Sequence, residues 1–348
     1  MTKISVLMCV CDGQNHIQKC IESILEQTFE NFEFLILDDA SIDQTSDIIK
    51  SYLKDKRIKL YKNEQNLGLT KSLNILLSAS QGQYIARIDA DDTAKKTRLQ
   101  TQVSLLEKEK AIGMVASNCD LIDENSNYLY THCPPCNDTA LRWSMIFRNP
   151  IRHSTVMFRN KLFSKTSIYD VNFKYAQDYE MWQRIGSYFR IGIIPETLGA
   201  VRIHEKTISN KIIENQDEFV NLISRKQMEN YYGKPISLEE ANKIRMMYVH
   251  RNSIQLEKMK KIDIKDFNHH IHFYFDIALG FLNSSYSLEK KILIKEIKLD
   301  IKSLINIAKS KPGWSREIVK SIKKWIEKQK RNQFIDDLER TILINKFY

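Results

Sequence analysis

Three carboxylates fall within four residues at Asp89-Ala90-Asp91-Asp92, directly after the apolar run Tyr84-Ile85-Ala86-Arg87-Ile88. Side chains alternate along an extended strand, so Asp89 and Asp91 would project to one side with only Ala90 between them. Two carboxylates held that close repel each other, and at neutral pH a cation, a basic side chain or a shared proton must offset the repulsion. Hard oxygen donors favour Mg2+ or Mn2+, and Mg2+ is commonly held by one or two carboxylates together with substrate phosphates. These residue types at this spacing point to a metal-nucleotide site. A second acidic pair, Asp38-Asp39, ends another apolar run, Phe32 to Leu37. For Asp38 alone, capping of the following helix is an equally good reading.

The elements that must position these residues alternate strand and helix. Lys3 to Val10, Phe32 to Leu37 and Ile58 to Tyr61 read as strands, and the run before Asp89 as a fourth. The helices between them span about Asn15 to Gln27, Gln44 to Leu53 and Thr70 to Ser80. Such alternation predicts an α/β fold with a mainly parallel sheet and flanking helices, because parallel connections need a crossover. All parallel strands end along one edge, where ligands of open α/β sheets bind, so the two acidic sets should meet in one crevice. Further strands are expected at Ile112 to Ala116, Cys119 to Ile122, Thr155 to Phe158, Arg190 to Ile194 and Leu198 to Ile203. Between Ile122 and about Asn137 a loop is expected, then a helix from about Asp138 to Phe147, and Asp178 begins a short helix.

Composition narrows the field. Apolar content of 43% and charged content of 28% fit a folded chain, and no apolar run approaches the ~18–20 residues of a membrane span. With no signal-peptide pattern, a cytoplasmic location is expected. The six cysteines read as reduced thiols, Cys133-Pro134-Pro135-Cys136 as a stiffened loop. No GxGxxG and no GxxxxGK[ST] occurs, so backbone amides of a glycine loop are not available to cradle phosphates. From Pro235 onward 23 Lys and Arg stand against 14 Asp and Glu, so nearly all of the chain's excess of ten positive charges lies in the last third. There, Trp314, Ile318, Ile322, Trp325 and Ile326 share one helical face, with Arg316, Lys320, Lys323, Lys324 and Lys328 largely around the other side. That pattern suits an anionic membrane surface, or a helix packed on the protein with its basic face in water. His269, His270 and His272 cannot all share a helix face, so a three-histidine metal site is not expected.

Taken together, Asp38-Asp39-Ala40-Ser41, Asn66-Leu67-Gly68, Asp89-Ala90-Asp91-Asp92 with Arg98-Leu99, Asn149-Pro150 with His153-Ser154, Gln177-Asp178-Tyr179-Glu180 and Arg202-x-His204 resemble the family 2 glycosyltransferases of the GT-A fold. The resemblance covers about Ile4 to Ser209. Where this family often shows Pro-x-Tyr-Asn, the chain has Cys9-Val10-Cys11-Asp12, and the residues before Asp178 lack the frequent Glu. It implies an inverting enzyme that moves a sugar from a UDP-sugar, of the UDP-Gal, UDP-Glc or UDP-GlcNAc type, to a hydroxyl of a glycan or undecaprenyl-diphosphate-linked acceptor. The setting would be O-antigen, capsule or other cell-surface polysaccharide synthesis, with no nucleic-acid partner.

By the same resemblance, Asp91 with Asp89 and His204 would hold Mn2+ or Mg2+, and Asp39, Asp38, Asn66, Asp89, Arg98 and Cys11 would face the donor. Asp178 would be the general base, with His153, Tyr179 and Trp182 on the acceptor side. Both histidines read equally well as packed, hydrogen-bonded groups, and the helical spacing of Tyr179 and Trp182 favours core packing. Arg87 is expected to pair with the nearby aspartates. The catalytic domain would span 1–211, with a nucleotide-sugar half to about 110 and an acceptor half after it. A helical, basic region would follow over 212–348. A metal-dependent sugar nucleotidyltransferase would call for the missing glycine-rich loop, and a non-catalytic binding module has no need of mutually repelling carboxylates.

Overall fold

The computed structural model of the chain describes residues 2–203, 210–249, 264–284, 290–309, 314–329 and 335–336. It divides into two compact units, Met1–Asp138 with Asn149–Phe219, and Thr139–Arg148 with Val220–Tyr348.

In the first unit, β1 (Ile4–Val10), β2 (Phe32–Asp38), β3 (Ile58–Lys62) and β4 (Tyr84–Arg87) run parallel in the order β3-β2-β1-β4. The connecting helices are α1 (Ile17–Leu25), α2 (Thr45–Ser51) and α3 (Leu69–Ala79). Every residue of β1, β2 and β4 is buried, which is why these strands read as continuous apolar runs rather than alternating ones. α1 lays Ile17, Cys20, Ile21 and Ile24 into the core at helical spacing.

Register decides where the acidic turn falls. β1 pairs with β2 along its whole length, to Val10 beside Asp38, but with β4 only as far as Leu7 beside Arg87. β4 therefore stops three residues short of β1. Residues 88–92 leave the strand beside the last residues of β1, with Ile88 N–H donating to the Leu7 carbonyl at 3.1 Å and Asp92 N–H to the Asp89 carbonyl at 3.2 Å. Asp89 and Asp91 thus sit in a turn beyond the strand, not on alternating strand positions.

The remainder of the sheet adds antiparallel strands to the mainly parallel arrangement. After the two-residue β5 (Thr93–Ala94) and α4 (Arg98–Lys108), the stretches expected as two strands form one long β6 (Ile112–Ile122) with register shifts along its pairing. β7 (Tyr128–His132) pairs antiparallel with β6 where a loop was expected; its residues are exposed or half-buried, so no apolar pattern marks it. After α5 (Asp138–Phe147) and a 3-10 turn at His153–Thr155, β8 (Met157–Arg159) runs antiparallel to both β4 and β6. Next come α6 (Phe163–Thr166), α7 (Gln177–Tyr188) and β9 (Arg190–Arg202), a single strand parallel to β6.

The second unit is helical among its described residues. Trp143, Ile146 and Phe147 of α5 pack in its core with residues of α8 (Asn210–Tyr232), α9 (Leu238–Val249), α10 (Ile264–Asn283), α11 (Lys290–Lys309) and α12 (Trp314–Glu327). Trp143 Nε1 and the Tyr274 hydroxyl both donate to the buried Asp300 carboxylate. Ile318, Ile322, Trp325 and Ile326 are buried there as well, and Trp325 Nε1 donates to Asp276 at 2.9 Å. The apolar face of α12 is therefore core, not a surface for lipid.

Gly82 shows how tightly the parallel half is closed. A Cβ at this position would lie 2.4 Å from the Ser5 backbone nitrogen and 2.7 Å from the Ile4 carbonyl carbon. Gly82→Ala is expected to force β1 and β4 apart and destabilise the protein by about 1–3 kcal/mol, read as a lower urea midpoint; an unchanged midpoint would refute the close contact.

Candidate active site

Because β4 ends early, the acidic turn and the end of β1 form the walls of an open cleft of about 430 Å³. Its lining comprises Cys9, Val10, Cys11, Asp12, Gly13, Asn15, His16, Asp89, Ala90, Asp91 and Glu124. Four of these are carboxylates and none is lysine or arginine. Asp12, His16 and Glu124 carried no signal of their own in the sequence: the first two lie in a turn after β1, and Glu124 arrives through the long-range pairing of β6 with β7 and β9.

Arg87 anchors the turn from beneath. Its guanidinium is 1% exposed and pairs with the Asp89 carboxylate, as expected, while Nη1 donates to Ser154 Oγ at 3.1 Å. Ser154 Oγ in turn donates to Asp89 Oδ2 at 3.0 Å and accepts from Asp89 N–H at 2.9 Å. Burial pushes Arg87 below the usual guanidinium range, and nearby negative groups, Asp92 and Asp178 among them, oppose that fall. Asp91 lines the cleft next to this neutralised carboxylate. The oxygen donors of Asp89 and Asp91, open to the cleft, are of the kind that suits Mg2+ or Mn2+. No group of three or more metal-ligating side chains occurs among the described residues, and His204 lies outside them.

Asp92 turns the other way. It is 2% exposed, and its Oδ1 accepts from Arg202 N–H at 2.7 Å. Burial, with the charge of Asp91 beside it, pushes its carboxyl up to about 7. Arg202 then ties both sides of the cleft together. Its Nε donates to the Asp91 carbonyl at 3.2 Å, Nη1 to the carbonyls of Asp123 at 2.6 Å and Glu124 at 3.0 Å, and Nη2 to Ser126 Oγ at 3.1 Å.

The residues expected to face the donor divide. Cys11 lines the cleft, and exposed Asn66 donates to its sulfur at 3.3 Å. Asp39 is buried and accepts from Asn63 Nδ2, Leu67 N–H and Gly68 N–H at 2.7–2.9 Å, so its carboxylate shapes the 63–68 loop beside Cys11. Asp38 is fully buried and accepts from Ser41 N–H at 2.9 Å, a local turn bond that takes it out of the cleft. Arg98 is also misplaced in the expectation. It is 2% exposed, donating to the carbonyls of Arg87 at 2.7 Å and Val156 at 3.2 Å. Burial lowers it to about 10.

On the acceptor side, Asp178 occupies the first turn of α7 and is half-buried. Its Oδ1 accepts from Tyr179 N–H and its Oδ2 from Asn149 Nδ2, both at 2.8 Å. Burial raises its carboxyl above the ordinary range, against the lowering effect of these bonds and of Arg87. His153 Nε2 lies 2.7 Å from the Tyr169 hydroxyl, and burial, with Arg87 adding to it, holds the imidazole well below its usual pKa, hence neutral. Tyr179 and Trp182 are fully buried, so they are core residues and not platforms for a sugar. Trp182 packs edge-on against His153 at 5.8 Å between ring centres. The 153–155 turn thereby links the two halves of the site: Ser154 holds Asp89, while His153 rests on the helix that carries Asp178.

The chain and its fold have known counterparts. Residues 5–166 match the pattern of the family described as glycosyl transferase family 2. An uncharacterized glycosyltransferase of Methanocaldococcus jannaschii is 33% identical over 66% of this chain and 77% of its own length. One of Haemophilus influenzae is 29% identical over 84% of this chain and 97% of its own. Among solved structures, S. aureus TarS 1-349 in complex with UDP-GlcNAc shares the fold with a TM-score of 0.54 at 16% identity, over 93% of this chain and 92% of that one. The chain belongs to glycosyl transferase family 2 and is a glycosyltransferase with the GT-A arrangement.

Asp92 offers a test of the buried half of the acidic turn. An unfolded aspartate titrates near 3.9, so the folded state binds this proton more tightly, and its stabilising effect is complete below about pH 4 and lost as pH rises through about 7. Asp92→Asn should therefore raise Tm at pH 8 in metal-free buffer and leave it nearly unchanged at pH 4. A gain of equal size at both pH values would contradict the buried ionisation.

Proposed function

We propose that this glycosyltransferase transfers a sugar from a UDP-sugar to a hydroxyl of a glycan or lipid-linked acceptor, with inversion, in the synthesis of a cell-surface polysaccharide. The observation that carries the reading is the cleft itself. Asp12, Asp89, Asp91 and Glu124 line it without a lysine or arginine, so a nucleoside diphosphate can enter only with a cation. Asp91, with Asp89 beside it, would hold Mn2+ or Mg2+. When bound, the cation would supply positive charge to the departing diphosphate. The shared fold of a protein crystallised with UDP-GlcNAc supports the choice of a UDP-sugar.

The chain's own residues do the rest. Cys11 and Asn66, shaped by Asp39, line the nucleoside side. Arg87 and Ser154 hold Asp89 at a fixed orientation, which spares the site reorganisation when charge develops. Asp178, whose raised pKa brings it nearer to neutrality than an ordinary carboxylate, takes the proton from the acceptor hydroxyl. His153, neutral and held by Tyr169, supports the acceptor side.

Two substitutions separate the roles. Asp91→Ala should weaken Mn2+-dependent UDP binding about tenfold or more, whereas Asp178→Asn should leave it intact and reduce transfer by about 10²–10⁴-fold. A screen of nucleotide sugars for Mn2+-dependent thermal stabilisation, reversed by EDTA, identifies the donor. Full transfer by the Asp178→Asn protein would refute the base assignment, and EDTA-insensitive UDP binding the metal assignment.

The same reading places the enzyme at the inner face of the cell membrane, where a lipid-linked acceptor resides. Among the described residues no helix is long and apolar enough to cross a membrane. With the apolar face of α12 in the core, contact would fall to its exposed basic residues Lys320 and Lys324 and to Lys328 just after it. Replacing these three with Glu should abolish co-sedimentation with phosphatidylglycerol vesicles at low salt; undiminished binding would dismiss this helix as the contact.

A further inference from the structure

Asn149 is locked by two bonds of opposite sense. Its Oδ1 accepts from the Ile151 backbone N–H at 3.1 Å, so the other end of the amide must be the donor that reaches Asp178 Oδ2 at 2.8 Å. Pro150, between the two anchoring points, removes backbone freedom from this short loop. The second oxygen of Asp178 is held by the Tyr179 N–H, a main-chain donor present whatever the side chains. The Asn149 amide is thus the replaceable donor of the pair.

We propose that Asn149 is a positioning residue whose amide sets both the orientation and the protonation state of the Asp178 carboxylate. The proposal rests on the reading of Asp178 as general base. A carboxylate that accepts a hydrogen bond is favoured in its charged form, and burial favours the neutral form. At Asp178 burial prevails, and Asn149 limits how far it does. The main-chain amides of Tyr179 and Asp178 act in the same sense but are fixed by the backbone, and the other side chains bearing on this carboxylate do not duplicate the effect. Arg87, at the end of β4, also favours ionisation, but its guanidinium is paired with Asp89. Tyr169 is kept neutral by burial, as is its partner His153. On α7 itself, Glu180 is spent on Arg184 at 2.7 Å. Without the amide, Asp178 would lose the donor that holds one oxygen in place and would take up a proton at higher pH.

Two variants separate positioning from packing. Asn149→Asp keeps the shape and the acceptor for Ile151 N–H but turns the donor into a second carboxylate, while Asn149→Ala removes the contact. In protein labelled with 13C at aspartate carboxyls, free of metal and nucleotide, the Asp178 resonance is the one lost in Asp178→Asn. Its titration midpoint should rise by about one pH unit or more in both variants, and further in Asn149→Asp, with Mn2+-UDP binding unchanged. A midpoint that stays in place in both variants overturns the proposal, even if transfer falls. This readout needs no turnover. An active Asp178→Asn protein would therefore refute the base reading alone, and an unmoved midpoint beside an inactive Asp178→Asn protein would refute the role of Asn149 alone.

Discussion

A guanidinium buried at the carboxyl end of a central strand has to be answered by negative charge, and the first unit is arranged around that requirement. An ion removed from water costs several kcal/mol unless its partners are well placed. Arg87 meets Asp89 and Ser154 directly, and its field reaches Asp92 and Asp178. Behind it the equally buried Arg98 donates to the Arg87 carbonyl, so two cations lie under a rim of carboxylates. The acidic turn is thus not an isolated liability that a ligand must rescue. Part of its charge is balanced from below, which leaves Asp91 and the open side of the cleft to meet a cation from solvent.

The loops at this rim carry strain as well as charge. Asp12, Ala40 and Ala176 adopt left-handed backbone conformations, with φ of 54°, 62° and 56°. Such residues persist only where their surroundings over-determine them. Here the surroundings are visible: Asp12 N–H donates to Ser41 Oγ, Ile42 N–H to Asp12 Oδ1, and Gly13 N–H to Thr45 Oγ1, all within 2.8–3.0 Å. The loops after β1 and β2 hold each other in place. Ala176 starts the helix that aims Asp178.

How much of this was legible in the sequence depends on how local each cause is. The parallel half was, because strands buried on both faces write continuous apolar runs and their helices write a clear periodicity. The mixed half was not: β8 earns its place between β4 and β6 through pairings with residues more than forty positions away, and β7 is an exposed strand without an apolar pattern. Among site residues, type and order were informative for Asp89, Asp91, Cys11 and Asn66, which do gather around the cleft or at its edge. Side-chain direction was beyond reach. Arg98 turns into the core because carbonyls of two other segments converge on it, and Asp38 turns inward to hold Ser41, although neither its type nor its neighbours forbid the outward choice.

The grip of Arg202 has a consequence for how this cleft can diversify. On the far wall its guanidinium takes hold of the main-chain carbonyls of Asp123 and Glu124, together with Ser126 Oγ, and leaves both carboxylates out of the bond. At positions 123 and 124 the clasp reads only backbone, and a bond to a carbonyl is indifferent to the side chain beside it. A substitution at position 124 can therefore alter charge and bulk at the mouth of the cleft without removing the Arg202 bond to that carbonyl.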